Sequence, residues 1–439
     1  MSDLAVDKTL IKSILHSMTG RYLVYAIQLL SMMLLARIFT PEIFGVFAVI
    51  QVFSVFFALV SEMGFGPALV NETTISKSMR NGIYSFTWIL GLIVAILFFA
   101  LSPLISWFYN NDLYQLLVIP VAISIIFNTA SIVPLSAFNR DKKFISIARC
   151  EAIAEITSII VILISIKFIE PIWALSLKPL TVAFIRYLLV LLGAKKTEIG
   201  MPRLGKELSS IKKILSFSKH QAGFNFLNYF SRNLDNILVG KYLGTVSLGV
   251  YDKAYQLMRY PLLLLTFAMS PAIQPVMKEL KHDLYKFEKL HNKFIRFVSV
   301  LGLFVGFSIF YLSDYIVLFL LGEQWGDVAP LLKILAVSIP IQIVMSTSGG
   351  FYQAAGRADL MLKCGMFSFF TNVTGILIGV WTNNLQLLSW AIVACSFVNY
   401  IQCYYIMGRN LLPSGVWHTL KNIVLTLVGV LILFTIVVN

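Results

Sequence analysis

Long apolar stretches alternate with short polar loops along almost the whole chain of 439 residues. A helix that crosses a bilayer needs about 20 mostly apolar residues, and thirteen stretches reach that length. They cover 14–38, 42–63, 83–108, 113–136, 146–168, 171–194, 218–241, 247–272, 294–318, 328–350, 360–381, 386–407 and 418–438. The pattern predicts an all-α, polytopic membrane protein.

The stretch 218–241 is not uniformly apolar, because polar residues recur along it at intervals of 4, 3, 4 and 3. These residues are Gln221, Asn225, Asn228, Arg232 and Asp235. The spacing places all five on one face of a helix. A charged side chain in hydrocarbon costs at least a few kcal/mol, so this face must meet water or a polar partner. We expect it to line a polar passage, which is typical of transport proteins.

Composition and charge agree with a membrane protein. Apolar residues make up 58% of the chain, and the mean hydropathy is +0.83. Lys and Arg collect in every second loop, which predicts that these loops and the amino terminus are cytoplasmic. The formal charge of +14 follows from this loop asymmetry. We therefore expect no nucleic-acid partner.

An internal repeat organises the chain. A shift of 204 residues matches Gly45 with Gly249 and Val46 with Val250, and a shift of 214 matches Cys150 with Cys364. Six spans per copy give both copies the same orientation, as in transporters built from parallel repeats. We expect a six-helix lobe at 1–194, a cytoplasmic amphipathic linker at 195–217, a second six-helix lobe at 218–408 and an additional helix within 409–439. The two lobes would surround a central cavity.

Polar residues of several spans are expected to face this cavity. The substrate-binding candidates are Arg21, Gln28, Lys178, Gln221, Asn225, Asn228, Arg232, Asp235, Lys253, Gln256 and Arg259. The candidates for ion coupling are Glu151, Glu155 and Asp235. Structural alternatives stay open, because Arg232 and Asp235 can pair at i, i+3, and Glu151 and Glu155 can pair with Arg149 or nearby lysines. Near span ends, Arg37, Lys241 and Arg149 are expected to reach the interface with long side chains.

Local sequence adds a family resemblance. The stretches LARIFTPEIFGVF at 35–47 and EMGFG at 62–66 resemble the opening of the polysaccharide transport family. The stretches NLDNILVGKYLG at 233–244 and LGVYDKA at 248–254 are similar to the most recognisable part of that family. Its members are Wzx-like flippases, and its larger superfamily includes multidrug extruders and the lipid II flippase.

The resemblance implies a transporter and not an enzyme. Such proteins move oligosaccharide repeat units, joined to undecaprenyl diphosphate, to the periplasmic leaflet of the bacterial inner membrane for O-antigen, capsule or exopolysaccharide synthesis. The cations would carry the diphosphate, and lobe rocking would give alternating access. Partners are the lipid-linked oligosaccharide and the phospholipid membrane, with other membrane proteins of polysaccharide assembly as further candidates.

No cofactor, metal site or nucleotide-binding loop is expected, which leaves gradient coupling or downhill lipid flow as the energy source. The alternative functions are a lipid II flippase and a multidrug or cation antiporter of the same architecture. A membrane polysaccharide polymerase is a further alternative, but its catalytic groups would need larger outward loops than this chain has.

Overall fold

The structure, a computed structural model, describes residues 2–62, 65–72, 75–207, 229 and 233–438. Side chains are described at the same positions except 2–18, 67, 68, 71, 266–272, 274–276 and 438. Within these ranges the chain is helical and contains no β-strand. The residues group into two compact units, Met1–Lys241 and Tyr242–Asn439. The division falls after Lys241, and the lobes expected at 1–194 and 218–408 stay predictions.

Helices of the first unit connect through short turns. They are α1 (Ser2–Ile38), α2 (Pro41–Glu62), α3 (Phe65–Asn71), α4 (Lys77–Tyr109), α5 (Leu113–Ala130), α6 (Ile132–Arg140), α7 (Phe144–Ser165) and α8 (Pro171–Gly193), then a 3₁₀ turn at Ala194–Lys196 and helical residues 233–242 (α9). Close approach of α4 and α5 depends on Gly91, where a Cβ would lie 3.1 Å from Ile126 Cα.

The second unit contains the remaining helices. They are α10 (Thr245–Glu279), α11 (Leu284–Leu320), a 3₁₀ turn at Glu323–Trp325, α12 (Val328–Ala336), α13 (Ile339–Ala354), α14 (Ala358–Trp381), α15 (Leu385–Asn410) and α16 (Gly415–Val438). Asp283 caps α11, since its Oδ1 accepts the Lys286 N–H at 3.1 Å and its Oδ2 lies 2.9 Å from Lys286 Nζ. These contacts hold the pKa of the Asp283 carboxyl below its ordinary value.

Most of these helices can cross a bilayer. In the described part of the chain, nine are long and apolar enough, and the pair α12 and α13, bent by 56°, makes a tenth candidate. The helices α7 and α10 coincide with predicted spans but are not among these candidates, and α7 holds three charged residues, Arg149, Glu151 and Glu155. Of the thirteen predicted stretches, 218–241 lies mostly outside the described residues. The prediction of an all-α polytopic membrane protein is confirmed.

The fourth predicted span of each expected six-helix lobe is divided into two helices. The stretch 113–136 breaks at Ser131, and the stretch 328–350 breaks after Ala336. Proline explains both positions, because its ring clashes with the carbonyl four residues earlier. For Pro134 that carbonyl belongs to Ala130, and for Pro340 it belongs to Ala336, the last residues of α5 and α12. The sequence analysis treats each stretch as continuous, and the paired breaks support its internal repeat.

A second match between the units lies in the turns that follow these broken spans. Lys142, between α6 and α7, has φ +56°, and Gly356, between α13 and α14, has φ +72°. The two positions are 214 residues apart, as the repeat requires. A lysine therefore adopts the left-handed conformation that glycine adopts without strain.

A non-helical segment, 197–207, lies along the start of α4, and we call it the strap. Arg80 Nη1 donates to Ile199 O at 2.6 Å, and the Gly205 N–H donates to Ser85 Oγ at 2.7 Å. A Cβ at Gly82 would lie 1.7 Å from Glu207 O, so the strap passes directly over that glycine. Of the amphipathic linker expected at 195–217, residues 208–217 lie outside the described residues.

Candidate functional site: charged side chains within apolar helices

An ion pair joins α7 and α8 inside the first unit. Lys178 Nζ lies 2.7 Å from Glu155 Oε1, and it donates to Ser31 Oγ of α1 at 3.0 Å. Glu155 is 7% exposed and Ser31 is fully buried. Because three helices supply these groups, we call them the α1–α7–α8 cluster. A substrate-binding candidate, Lys178, and an ion-coupling candidate, Glu155, are thus direct partners.

Further charges of the first unit surround Arg186. Its Nη2 donates to Asn128 Oδ1 of α5 at 2.8 Å. Glu62 and Glu151 both lie within electrostatic range of Arg186, and Glu151 is also within range of Arg21. Asn128 is not among the candidates selected from the sequence, although an amide in the middle of the apolar stretch 113–136 was a usable signal. These cations therefore lie near carboxylates, so this region is not purely cationic.

Residues on α1 lie in two different environments. Gly20 lets α1 approach α7, where an added Cβ would lie 3.1 Å from Ala148 Cβ. Val24 and Ser31 are buried at this side of the helix, while Arg21 and Gln28 are exposed. Arg21 and Gln28 therefore lie at the surface of their unit.

Helix α9 packs on other helices of the first unit. Asp235 is 5% exposed, and its Oδ1 accepts the Asn236 N–H at 2.9 Å. Tyr109 donates to Ile237 O at 3.1 Å. Lys241 Nζ donates to Phe108 O and lies 5.0 Å from the centroid of that ring. Four further candidates lie outside the described residues: Gln221, Asn225, Asn228 and Arg232.

In the second unit, α10 carries the remaining candidates. Lys253 is 5% exposed, and its Nζ contacts Asp252 Oδ2 at 3.0 Å and Gln256 Oε1 at 3.2 Å. Arg259 lies farther along the helix and is exposed. The structure therefore brings Lys253 and Gln256 together, and it leaves the Arg259 guanidinium at the surface of its unit.

Comparison with known proteins identifies relatives. The family described as polysaccharide biosynthesis protein matches residues 34–330. The teichuronic acid biosynthesis protein TuaB of Bacillus subtilis (strain 168) is 24% identical over 365 residues, which are 82% of this chain and 73% of that protein. The lipopolysaccharide biosynthesis protein WzxC of Escherichia coli (strain K12) is 23% identical over 403 residues, with 90% and 80% covered.

Solved structures show the same fold in transporters. The lipid II flippase MurJ, in an inward closed conformation, superposes with a TM-score of 0.72 at 15% identity, covering 96% of this chain and 98% of that one. An inward-facing multidrug resistance MATE family transporter of the MOP superfamily gives 0.70 at 13% identity, with 91% and 94% covered. The fold is thus that shared by these two proteins. Since the family match extends over more than half of the sequence and agrees with the resemblance at 35–66 and 233–254, the chain belongs to the polysaccharide biosynthesis protein family.

Proposed function

We propose that the protein is a flippase of the bacterial inner membrane, which moves oligosaccharide repeat units linked to undecaprenyl diphosphate to the periplasmic leaflet. The observation that carries the proposal is the α1–α7–α8 cluster, in which Lys178 of α8 contacts Ser31 of α1 and Glu155 of α7, and both α1 and α8 are apolar enough to span a membrane. Ionisable residues in such segments are expensive and usually serve transport. The names of the relatives, which refer to polysaccharide biosynthesis and lipid II, support the substrate class.

The chemistry of the substrate explains why such groups are needed. A diphosphate with attached sugars cannot enter hydrocarbon, whereas its polyprenyl tail can remain there. Arg21 and Arg259, both exposed within their units, are suited to bind phosphate oxygens, and Gln28 and Gln256 are suited to bind sugar hydroxyls. Gln221, Asn225, Asn228 and Arg232 stay proposed substrate-binding residues.

Lys178 has a different role, because its ammonium is already held by Glu155. A phosphate must displace this carboxylate before it can bind Lys178. Proton uptake by Glu155 would neutralise the carboxylate and release the ammonium, which would couple substrate binding to a proton gradient. We propose Glu155 as the principal coupling residue, with Glu151 and the buried Asp235 as the other candidates.

A cation antiporter is a second candidate, and one observation favours it. Three carboxylates, Glu62, Glu151 and Glu155, lie near the cations of the first unit, and carboxylates in a polar region are what a cationic substrate needs. The two functions differ in a simple measurement. An antiporter should lower the accumulation of organic cations when it is expressed in a drug-sensitive bacterium, whereas a flippase should not.

The decisive experiment uses the bacterium that produces the polysaccharide. Deletion of the gene should abolish surface polysaccharide and leave lipid-linked repeat units in the cytoplasmic leaflet, and the wild-type gene should reverse both effects. Arg259→Ala should fail to complement, Arg259→Lys should complement in part, and Arg37→Ala should complement nearly fully. Membrane abundance of each variant is measured in parallel. Normal polysaccharide in the deletion strain, or full complementation by Arg259→Ala, would refute the proposal or the role of that arginine, respectively.

A further inference from the structure

A cavity of about 490 Å³ lies in the second unit, between the start of α11 and the start of α16. We call it the α11–α16 cavity. Its size falls in the range of about 300–1,000 Å³ that is usual for small-molecule sites. Its lining includes Glu288, Lys289, Asn292, Lys293, Arg296 and Ser414. None of these residues belongs to the candidate transport site.

Three cations line the cavity. Lys289, Lys293 and Arg296 are all exposed, and within the described ranges neither lysine forms an ion pair. Arg296 is held in place, because its Nε and Nη2 donate to Asn422 Oδ1 of α16 at 3.2 and 2.8 Å. Its Nη1 remains for a ligand. This arrangement suits a phosphate group, since a fixed guanidinium beside two ammonium groups binds phosphate oxygens well.

A buried carboxylate lines the same cavity. Glu288 is 4% exposed, and its Oε2 accepts the Ser414 N–H at 3.0 Å. Its Oε1 has no hydrogen-bond donor among the described residues. A buried carboxylate oxygen without a donor is costly, and a simple anion in the cavity would raise that cost. The complete lining is therefore better matched by a ligand with both a negative and a positive group.

The Glu288 carboxylate and the Arg296 guanidinium also follow a fixed order along α11. Glu288, Asn292 and Arg296 are spaced by four residues, so they lie on one face of α11, and Arg296 is about 12 Å farther along it at 1.5 Å per residue. The apolar part of α11 follows Arg296. Lys293 and Arg296 therefore lie closer to the hydrocarbon than the Glu288 carboxylate does, while Lys289 lies at the level of that carboxylate. A phosphoethanolamine headgroup has the same order, with its phosphate next to the glycerol and its ammonium outermost.

We propose that the α11–α16 cavity binds the headgroup of phosphatidylethanolamine. The phosphate contacts Lys293 and Arg296, and the ammonium donates to Glu288. Lys and Arg are concentrated in the loops on this side of the chain, so the lipid belongs to the cytoplasmic leaflet. Phosphatidylglycerol lacks the ammonium, and the quaternary nitrogen of phosphatidylcholine cannot donate a hydrogen bond. The site is independent of the proposed transport function.

The test measures lipid binding by the full chain purified in detergent. Native mass spectrometry and the thermal unfolding midpoint are recorded with phosphatidylethanolamine, phosphatidylglycerol or phosphatidylcholine of matched acyl chains, and with inorganic phosphate alone. Phosphatidylethanolamine should bind most tightly and raise the midpoint most. Glu288→Gln should weaken the binding of phosphatidylethanolamine by about tenfold, as expected for the loss of one charge-assisted hydrogen bond. The same variant should not weaken the binding of phosphatidylglycerol.

Further variants keep the test decisive. Lys293→Gln should weaken both phospholipids, and Lys281→Gln, at an exposed position outside the cavity lining, should change neither. Equal binding of phosphatidylglycerol, or an unchanged preference in Glu288→Gln, would overturn the assignment. A full stabilisation by inorganic phosphate alone would identify a free-anion site instead, and the absence of any retained lipid would also refute the proposal.

Discussion

Lys178 Nζ and Glu155 Oε1 lie 2.7 Å apart, and this contact joins α8 to α7 inside the first unit. The Lys178 side chain is 23% exposed and that of Glu155 is 9% exposed. Two roles are open to such a pair. It can hold the helices together, or it can hold an ammonium ready for a substrate phosphate. Variants that keep or remove the charge balance separate these roles.

Single replacements at this pair should destabilise the protein. We expect Lys178→Met or Glu155→Gln to lower the free energy of unfolding by about 1–3 kcal/mol. The loss should be smaller than for a fully buried pair, because Lys178 is partly exposed. The double variant should recover most of the stability, since no unpaired charge is left. Transport should not recover, because the phosphate has lost its ammonium. Thermal unfolding in detergent and surface polysaccharide measure the two effects.

The control for this pair is Lys195→Gln, at an exposed lysine that follows α8. It should change neither stability nor transport. Full transport by the Lys178→Met, Glu155→Gln double variant would show that the ion pair is structural only.

The contact between α14 and α15 gives a second prediction. A Cβ at Gly379 would lie 2.9 Å from Leu388 Cα, whereas a Cβ at Gly365 in the same helix would meet nothing within 4 Å. We expect Gly379→Ala to destabilise the protein by about 1–3 kcal/mol through overpacking. Gly365→Ala should be neutral or stabilising by up to about 1 kcal/mol. Unfolding midpoints of both variants test this, and equal midpoints would contradict it.

The repeated left-handed turn gives a third prediction. Lys142→Gly should stabilise the protein by about 0.5–1 kcal/mol, because glycine adopts positive φ without a Cβ clash. Gly356→Ala should destabilise it by a similar amount, and only through the backbone, since open space surrounds that glycine. Lys281→Gly is the control, because Lys281 lies in a turn but has no positive φ, and this change should not stabilise the protein. Chemical or thermal unfolding of the purified variants measures these changes in stability. A destabilised Lys142→Gly protein would argue against strain at that lysine.

Orientation in the membrane gives a fourth prediction. In a variant without the native cysteines, Asp112→Cys and Thr382→Cys should react with an impermeant maleimide added to spheroplasts. Lys142→Cys and Lys281→Cys should react only after lysis. All four positions are exposed, so accessibility depends on the side of the membrane alone. The reverse labelling pattern would place the amino terminus outside.

Sequence predicts the helices well, because a bilayer imposes a length and an apolar composition that can be read locally. It is less informative about breaks within a span. Pro134 and Pro340 carry the local signal for the divisions before α6 and α13, but a proline inside a membrane helix can also produce only a kink. The number of apolar residues alone cannot separate these outcomes.

The partners of charged residues are harder to predict than the residues themselves. Sequence selects Glu155 as polar within an apolar stretch and offers Arg149 or nearby lysines as its partner. The actual partner, Lys178, comes from the next helix, and the contact depends on how α7 packs on α8. The same limit applies to Arg186 and Asn128, which are 58 residues apart. Such pairings follow from tertiary packing, and periodicity does not contain them.

The bond from Tyr109 to Ile237 joins residues 128 apart in the chain. Together with the contact of Lys241 and Phe108, it means that the end of α4 receives its permanent neighbours late during synthesis. By then the ribosome has translated the strap and most of the stretch 218–241. The nascent first half must therefore wait in the translocon or the lipid with part of its packing surface uncovered. Its maturation is tied to the segment that leads into the second half.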